Sequence, residues 1–409
     1  MLSGAMPRRT PPLRWLGSLT LAALAQVVGC GSSHDPPSTG FDLPTAETLG
    51  GQILTSPRVQ PIYFSGFPYG QEMDTFLQLM AGSAYWPEVV SEYGVGALTA
   101  LAGYPTAVAV PADVTDTQLP DLLSQVFVEG AATLGPPRGD TVYVLFLSPA
   151  TTLTAMGQVF CKDFGPGAYH DEWTVGGVLV AAAIVPACTA SPFDDRLGGA
   201  DVLTPSVSHE IVEAVTDPFG SSSPAYTGID GAHVLWAMAV NGAELGDLCE
   251  NEQPTLVSPS DIGFPVQRIW SNASAHAGTG PCVPVPEGEI YFNAVAAMPD
   301  HGNFQDPSGA TFSVPVVNAK IGQASSARFS FRGSAAAPAT LFAAAFELDD
   351  PQSLVVEVPT VVTGTLGRTL SVPVTTSQST TTGVVPLVIA ATDASRTAVH
   401  LWVGGINRN

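Results

Sequence analysis

Two near-continuous apolar runs, at residues 142–147 and 178–185, constrain this chain more than any other feature. Each is bounded by Gly, Pro or Asp, and neither alternates polar with apolar residues. A strand wetted on one face alternates, whereas a strand covered on both faces reads as an unbroken hydrophobic run. The two runs therefore predict central strands with a packed layer on each side. Covering elements are at hand. Met73, Phe76, Leu77 and Met80 recur at helical spacing, residues 85–93 continue as a second helix, and Leu119, Leu122, Leu123, Val126 and Phe127 mark a third over 116–129. Residues 59–64 and the short run 108–110 add strands. Strands alternating with helices place residues 58–285 in an α/β or α+β domain, a single mixed sheet covered by helices.

After Pro286 the pattern changes. Short Val/Thr/Phe-rich runs at 312–317, 328–331, 354–358, 369–374 and 384–390 recur with Gly, Ser and Pro between them, and helical periodicity fades. This predicts an all-β, immunoglobulin-like sandwich over 286–409. Its histidines, His301 and His400, have no sequence neighbours that suggest chemistry and read as structural or solvated.

The start of the chain reads as an export signal over residues 1–30. Arg8, Arg9 and Arg14 precede an apolar stretch too short to span a membrane as a mature helix. It ends Val27-Val28-Gly29-Cys30, which resembles the lipobox of bacterial lipoproteins, where the cysteine is lipidated. The expectation is a protein held on the bacterial cell envelope, extracytoplasmic, at the outer membrane or cell surface, with the membrane as partner through that anchor. Residues 31–57, rich in Ser, Pro, Gly and Thr, read as a flexible tether. Removing the first 29 residues takes away three arginines and no acid, leaving 11 basic side chains against 36 acidic ones. Such a charge excludes nucleic acid as a partner and gives no attraction to an anionic membrane.

Four further cysteines remain: Cys161, Cys188, Cys249 and Cys282. In an exported chain an even number reads as two disulfides, and of three pairings Cys161–Cys188 with Cys249–Cys282 is the expected one. Each closes a loop of about 30 residues, a constraint on the order of 3–4 kcal/mol by chain entropy. No C-x-x-C spacing is present that would favour a zinc–thiolate site.

The chemistry concentrates in residues 204–218. Thr204 reads as a helix N-cap, Pro205 as its first turn and Pro218 as its stop. Within it, His209 and Glu213 are four apart and leave the same helix face, with Glu210 about 100° round the axis. This is the H-E-x-x-H arrangement of zinc proteases with the second histidine replaced by glutamate, a substitution that zinc tolerates because it accepts carboxylate oxygen. Downstream, Glu244, Asp247 and Glu250 offer a third ligand. Between Asp194 and Glu252 stand 11 carboxylates against one arginine, an excess that a bound cation would compensate. The alternative is a solvated acidic loop. Zinc is the favoured ion, and calcium, which prefers oxygen ligands, the lesser candidate. His170, beside Asp171 and Glu172, is a further candidate ligand or an ordinary hydrogen-bonding residue.

The series Cys161 … Tyr169-His170 … Ile184-Val185-Pro186-Ala187-Cys188 … His209-Glu210-x-x-Glu213-Ala214-Val215-Thr216-Asp217-Pro218 … Trp236 … Glu244-x-Gly246-Asp247-Leu248-Cys249-Glu250 … Cys282 resembles the phosphate-induced protein/EXORDIUM-like family. Those are secreted plant proteins tied to cell expansion, with bacterial relatives. The likeness covers roughly residues 55–285, includes the stretch 266–272, and leaves out the C-terminal region. It implies secretion more than chemistry, so a catalytic role is deduced from the helix alone.

On that deduction His209 and Glu213 hold zinc with Asp247 or Glu244 as third ligand, and Glu210 is the general base of a metallopeptidase. The competing expectation is a non-catalytic surface lipoprotein that binds a peptide or cell-wall polymer, its metal structural or absent. Glycoside hydrolysis by paired carboxylates is a third class, which needs a pair separation that sequence does not show.

Overall fold

The computed structural model describes residues 41–409 except 163–165, 241, 290, 307, 322, 334–337, 347–353, 358–361, 366–368, 377–382 and 393–398. The export signal, Cys30 and residues 31–40 of the expected tether lie outside the described residues.

The two apolar runs become neighbouring strands, Thr141–Leu147 and Val178–Pro186, paired in parallel from Val142↔Ala181 to Leu147↔Pro186. Arg58–Tyr63 lies parallel on the other side of Thr141–Leu147, with the short strands Thr99–Ala100 and Tyr104–Pro105 beyond it. Tyr169–Val175 closes the far edge, antiparallel to Val178–Pro186. Alternate residues serve opposite layers, as the strand period of two requires. Val142, Val144, Phe146, Ala181, Ala183 and Val185 pack with the helices Gly70–Gly82, Tyr85–Val90 and Thr204–Thr216. Tyr143, Leu145, Leu147, Ala182 and Ile184 pack with Leu119–Glu129. Burial of each large apolar side chain contributes about 1.5–3 kcal/mol. The mixed, helix-covered sheet is as the sequence predicts.

Residues 108–110 are not a strand. The N–H of Ala107 donates to Glu129 Oε1 and that of Val108 to Thr106 Oγ1, so side chains take the donors that a ladder would use. Val108 and Val110 still pack against the lower layer. Nor is the 31–57 stretch a free tether in its second half. Phe41, Leu43, Ala46 and Leu54 are buried, Ala46–Glu47 pairs with Gly228–Ile229, and Phe41 O accepts from Trp402 Nε1 at 2.9 Å. Four apolar anchors among many small polar residues are enough to dock the segment.

The C-terminal region is all strand. Among the described residues ten strands are linked in one hydrogen-bonded ladder, a strand-rich region in which the finer immunoglobulin-like arrangement is not established. The sheet curls, so that its edge strand Phe292–Ala296 meets Val399–Arg408, with Asn293 Nδ2 donating to Leu401 O at 2.7 Å. One hydrophobic cluster runs from the site-bearing helix through Trp236 and Trp270 into Ile389, Trp402 and Ile406. The composition break at 285/286 is therefore not a break in the core. His301 is exposed, and His400 is buried with Nδ1 2.8 Å from Glu252 Oε2. Both expected disulfides form, Cys161–Cys188 and Cys249–Cys282, with Cα atoms 5.1 and 5.8 Å apart. No helix of the described residues is long and apolar enough to cross a membrane.

Candidate metal centre

The helix Thr204–Thr216 begins one residue earlier than capping chemistry suggests. Leu203 stands at the cap position, and Thr204 instead donates its hydroxyl to Pro265 O at 2.7 Å. Asp217 ends it, its N–H on Glu213 O at 2.7 Å. Every residue of the helix is buried. Val207, Ile211, Val212 and Val215 face the upper core layer. The polar residues Ser208, His209, Glu210 and Glu213 are covered as well, and buried polar groups require partners.

Those partners come from three separate elements. His209 Nε2 lies 2.9 Å from Glu213 Oε2, one turn along, and 3.8 Å from Asp247 Oδ1. Its other ring nitrogen, Nδ1, is 2.6 Å from Gln267 Oε1, while Gln267 Nε2 donates to Gly246 O at 2.7 Å. With the amide oxygen as acceptor, Nδ1 carries a proton and Nε2 is turned toward the carboxylates, the orientation a ligating histidine needs. Gln267 is held in turn, its backbone N–H donating to Ser208 Oγ and its carbonyl accepting from Tyr85 OH.

Glu213 does two things at once. Its Oε1 accepts the N–H groups of Gly246 and Asp247 at 3.0 and 3.2 Å, which fixes the acidic loop against the helix and leaves Oε2 for the histidines. The approach demands glycine at 246, since a Cβ there would sit 2.6 Å from His209 Nδ1 and 2.8 Å from Glu213 Oε1. Cys249–Cys282 ties down the far side of the same loop.

The third element is the edge strand Tyr169–Val175. Tyr169 and Trp173 point into the lower layer, so His170, paired opposite Ala183, rises on the helix side. Its Nδ1 is 3.4 Å from Glu210 Oε2 and 3.7 Å from Glu213 Oε2, and its Nε2 is 3.4 Å from Glu244 Oε1. Two groups result, His209–Glu213–Asp247 and His170–Glu210–Glu213, each with ligand atoms within 4.8 Å of one another and close enough to hold a metal ion. Ligands at ~2.0–2.1 Å from a tetrahedral zinc stand roughly 3.3 Å apart, so separations of 2.9 to 3.8 Å suit such an ion with small adjustments.

His209, Glu213 and Asp247 thus converge as the sequence predicts. Glu244 does not join them. It reaches His170 instead, with Oε1 3.4 Å from Nε2. Glu250 belongs to neither group. Glu210 lies round the helix axis as expected, but its nearest partner is His170. Two contributors carry little signal in the sequence. His170 carried no motif beyond its neighbouring acids, and Gln267 sat unremarked inside the 266–272 stretch.

The electrostatics follow from crowding. Burial disfavours charge on His209 and His170, but Glu213 and Glu210 beside the first, and Glu244 and Glu210 beside the second, hold both imidazoles well above their usual range. Burial and the Glu213 charge push Asp247 well up. Glu213 is also raised, by burial, against the pull of His209. Burial and then Glu244 lift Asp217 to about 6. Glu244 is lowered despite its burial, because His170 outweighs it. The ion-pair partners in this cluster are all histidines. Compared with family models and with curated proteins, the chain matches neither.

Proposed function

We propose that the cluster is a divalent-metal centre with zinc as its ion, and that the chain is a metal-dependent hydrolase of peptide bonds. The observation that carries this reading is the meeting of two histidine–carboxylate groups on Glu213, each with its ligand atoms within 4.8 Å of one another. A mixed nitrogen–oxygen set with so few ligands favours zinc over calcium, which takes six to eight oxygens. His209 Nε2, Glu213 Oε2 and Asp247 Oδ1 are the ligands. A bound zinc would supply Lewis acidity, bringing the pKa of water toward ~7 and polarising a carbonyl.

The remaining work falls to residues of the chain. Glu210 takes the proton from the attacking water and returns it to the leaving nitrogen as the C–N bond breaks. His170, 3.4 Å away, keeps that carboxylate turned toward the reaction face. Asp247 and Glu244 are about a fifth exposed, at 22% and 20% of their side-chain surface, against 3% for Glu213. Substrate therefore enters from the acidic-loop side. The resemblance to EXORDIUM-like proteins and the lipobox-like Cys30 support a place on the cell envelope, where peptide or cell-wall polymer is the material at hand.

Elemental analysis of the purified chain tests the metal. Zinc should be present, His209→Ala should weaken its binding at least about tenfold, and Glu210→Gln should keep the ion while abolishing peptide cleavage. Full cleavage by Glu210→Gln removes the base, and unchanged zinc in His209→Ala removes the site. A second reading, a non-catalytic surface protein, rests on the clamp that Glu213 Oε1 makes with the N–H groups of Gly246 and Asp247. In that case zinc would raise stability with no hydrolysis under any condition.

A further inference from the structure

The two histidine–carboxylate groups are not alternative descriptions of a single position. Each imidazole forms its own group with Glu213, and among the described residues no group within the 4.8 Å span contains both. One ion at the usual nitrogen distance of about 2.0–2.1 Å cannot take both rings where they stand. The rings also come from opposite sides. His209 descends from the helix, its orientation set by Gln267, and His170 rises from the edge strand. Between them lies one oxygen, Glu213 Oε2, at 2.9 Å from the first imidazole and 3.7 Å from the second. Its sister oxygen is engaged by backbone N–H groups, so Oε2 is the atom both sides share.

Charge points the same way. Glu210, Glu213, Glu244 and Asp247 bring four carboxylates together, the first two buried and the last two about a fifth exposed, and their ion-pair partners are histidines. With neutral imidazoles, as ligation requires, one divalent ion leaves part of that charge uncompensated, and a second ion offsets more of it.

Resting on the metal-centre reading above, we infer that the cluster takes two divalent cations at once, bridged by Glu213. The first is held by His209, Glu213 and Asp247. The second is held by His170, Glu210 and Glu213, and is the weaker, because only the shared Glu213 among its ligands is fixed by the clamped loop, whereas the first position also draws Asp247 from that loop. The second ion changes the part played by Glu210. With only the first position filled, Glu210 is a free base. With both filled it is a ligand, so metal in excess withdraws the base from the reaction.

Calorimetric titration of the metal-stripped chain with zinc alone, with elemental analysis after dialysis, decides the matter. The expected result is two equivalents of unequal affinity. Glu210→Gln, which preserves side-chain shape, and His170→Ala should each raise the Kd of the weaker equivalent by more than the ~10–100-fold that loss of an outer-shell partner costs, while the tighter one remains. Titration with cobalt should show two magnetically coupled ions in the wild type and one uncoupled ion in Glu210→Gln. A single equivalent in the wild type overturns the bridged pair and leaves the one-metal reading standing. No binding at all removes both. Two equivalents of unchanged affinity in both variants overturn the assignment of the second position.

Discussion

Two buried histidine–carboxylate clusters stand in this molecule, and they solve the same problem in opposite ways. Where the acidic region meets the curled C-terminal sheet, His400 Nδ1 lies 2.8 Å from Glu252 Oε2, and Arg268 Nη2 lies 3.1 Å from Glu289 Oε2. The guanidinium also donates to Cys282 O and Pro254 O, and Glu252 Oε1 accepts the N–H of Leu401. Glu252 and Glu289 face His400 and Arg268, and backbone groups take up Glu252 Oε1 and the guanidinium, while His400 Nε2 and Glu289 Oε2 have no hydrogen bond. Around His209 four carboxylates face two imidazoles and no guanidinium intervenes among the ion pairs formed. A buried charge without compensation is costly. The first cluster has a guanidinium of the chain among its partners, and the second, on the reading proposed above, is completed by a metal ion. That contrast separates a structural lock from a binding centre more sharply than burial does, since both are buried.

The largest effect should appear in the cluster around Arg268. Arg268→Met leaves Glu289 and two carbonyls unpaired in a site where Arg268 is 1% exposed. The loss should be about 3–5 kcal/mol, read as a fall in the denaturant midpoint, and zinc or a chelator should not change it. A loss under roughly 1 kcal/mol, the scale of a surface pair, would mean the lock contributes little and the contrast is false. Next in size is zinc itself. At a hundredfold excess over Kd, an ion bound only by the folded chain adds about 2.7 kcal/mol, a gain that a chelator reverses and His209→Ala abolishes. Equal stabilisation of wild type and His209→Ala would place the ion elsewhere.

The contrast also explains what could be read in advance. The central strands were legible because burial on both faces leaves an unbroken apolar run, and residues 142–147 and 178–185 pair in register as neighbours. The site helix was legible because His209 and Glu213 share a local period. Asp247 was within reach because it follows soon after in the chain and its loop is cross-linked. His170 stood out only as one candidate beside its acids, because its place depends on a strand 40 residues upstream meeting the helix across a sheet, which no local spacing encodes. Run 108–110 misled for a related reason. Its valines pack as a strand's would, but Glu129 and Thr106 take the neighbouring backbone donors. The same holds for residues 41–57, whose few apolar anchors are masked by small polar neighbours until Trp402 and the strand Gly228–Ile229 are seen beside them.

The smallest effect is the most diagnostic, because it concerns a sign. Each proton held differently by folded and unfolded chain is worth at most about 1.4 kcal/mol per pH unit. In the metal-free chain His209 and His170 titrate well above 6.5, so their contribution is complete below 6.5 and is lost as pH rises through the folded values. Glu213 and Asp247 titrate above their ordinary 4.5 and 3.8, so the folded chain again holds the extra proton and again loses stability as pH rises through that range. Asp217, raised to about 6, and Glu250 behave the same way, whereas Glu244, lowered from 4.5, runs the other way, its contribution lost as pH falls, one group against six. The metal-free chain should therefore weaken as pH rises from about 4 to beyond 6.5. Zinc reverses the slope of its own contribution, because its ligands must shed protons to bind, so the zinc-induced rise in Tm should grow over the same range. Melting curves with chelator and with zinc across that range read both slopes. A zinc-induced shift that is flat with pH would mean that the protons crowded onto this cluster are not the ones a metal displaces, and the four carboxylates would then be a second lock and not a binding centre.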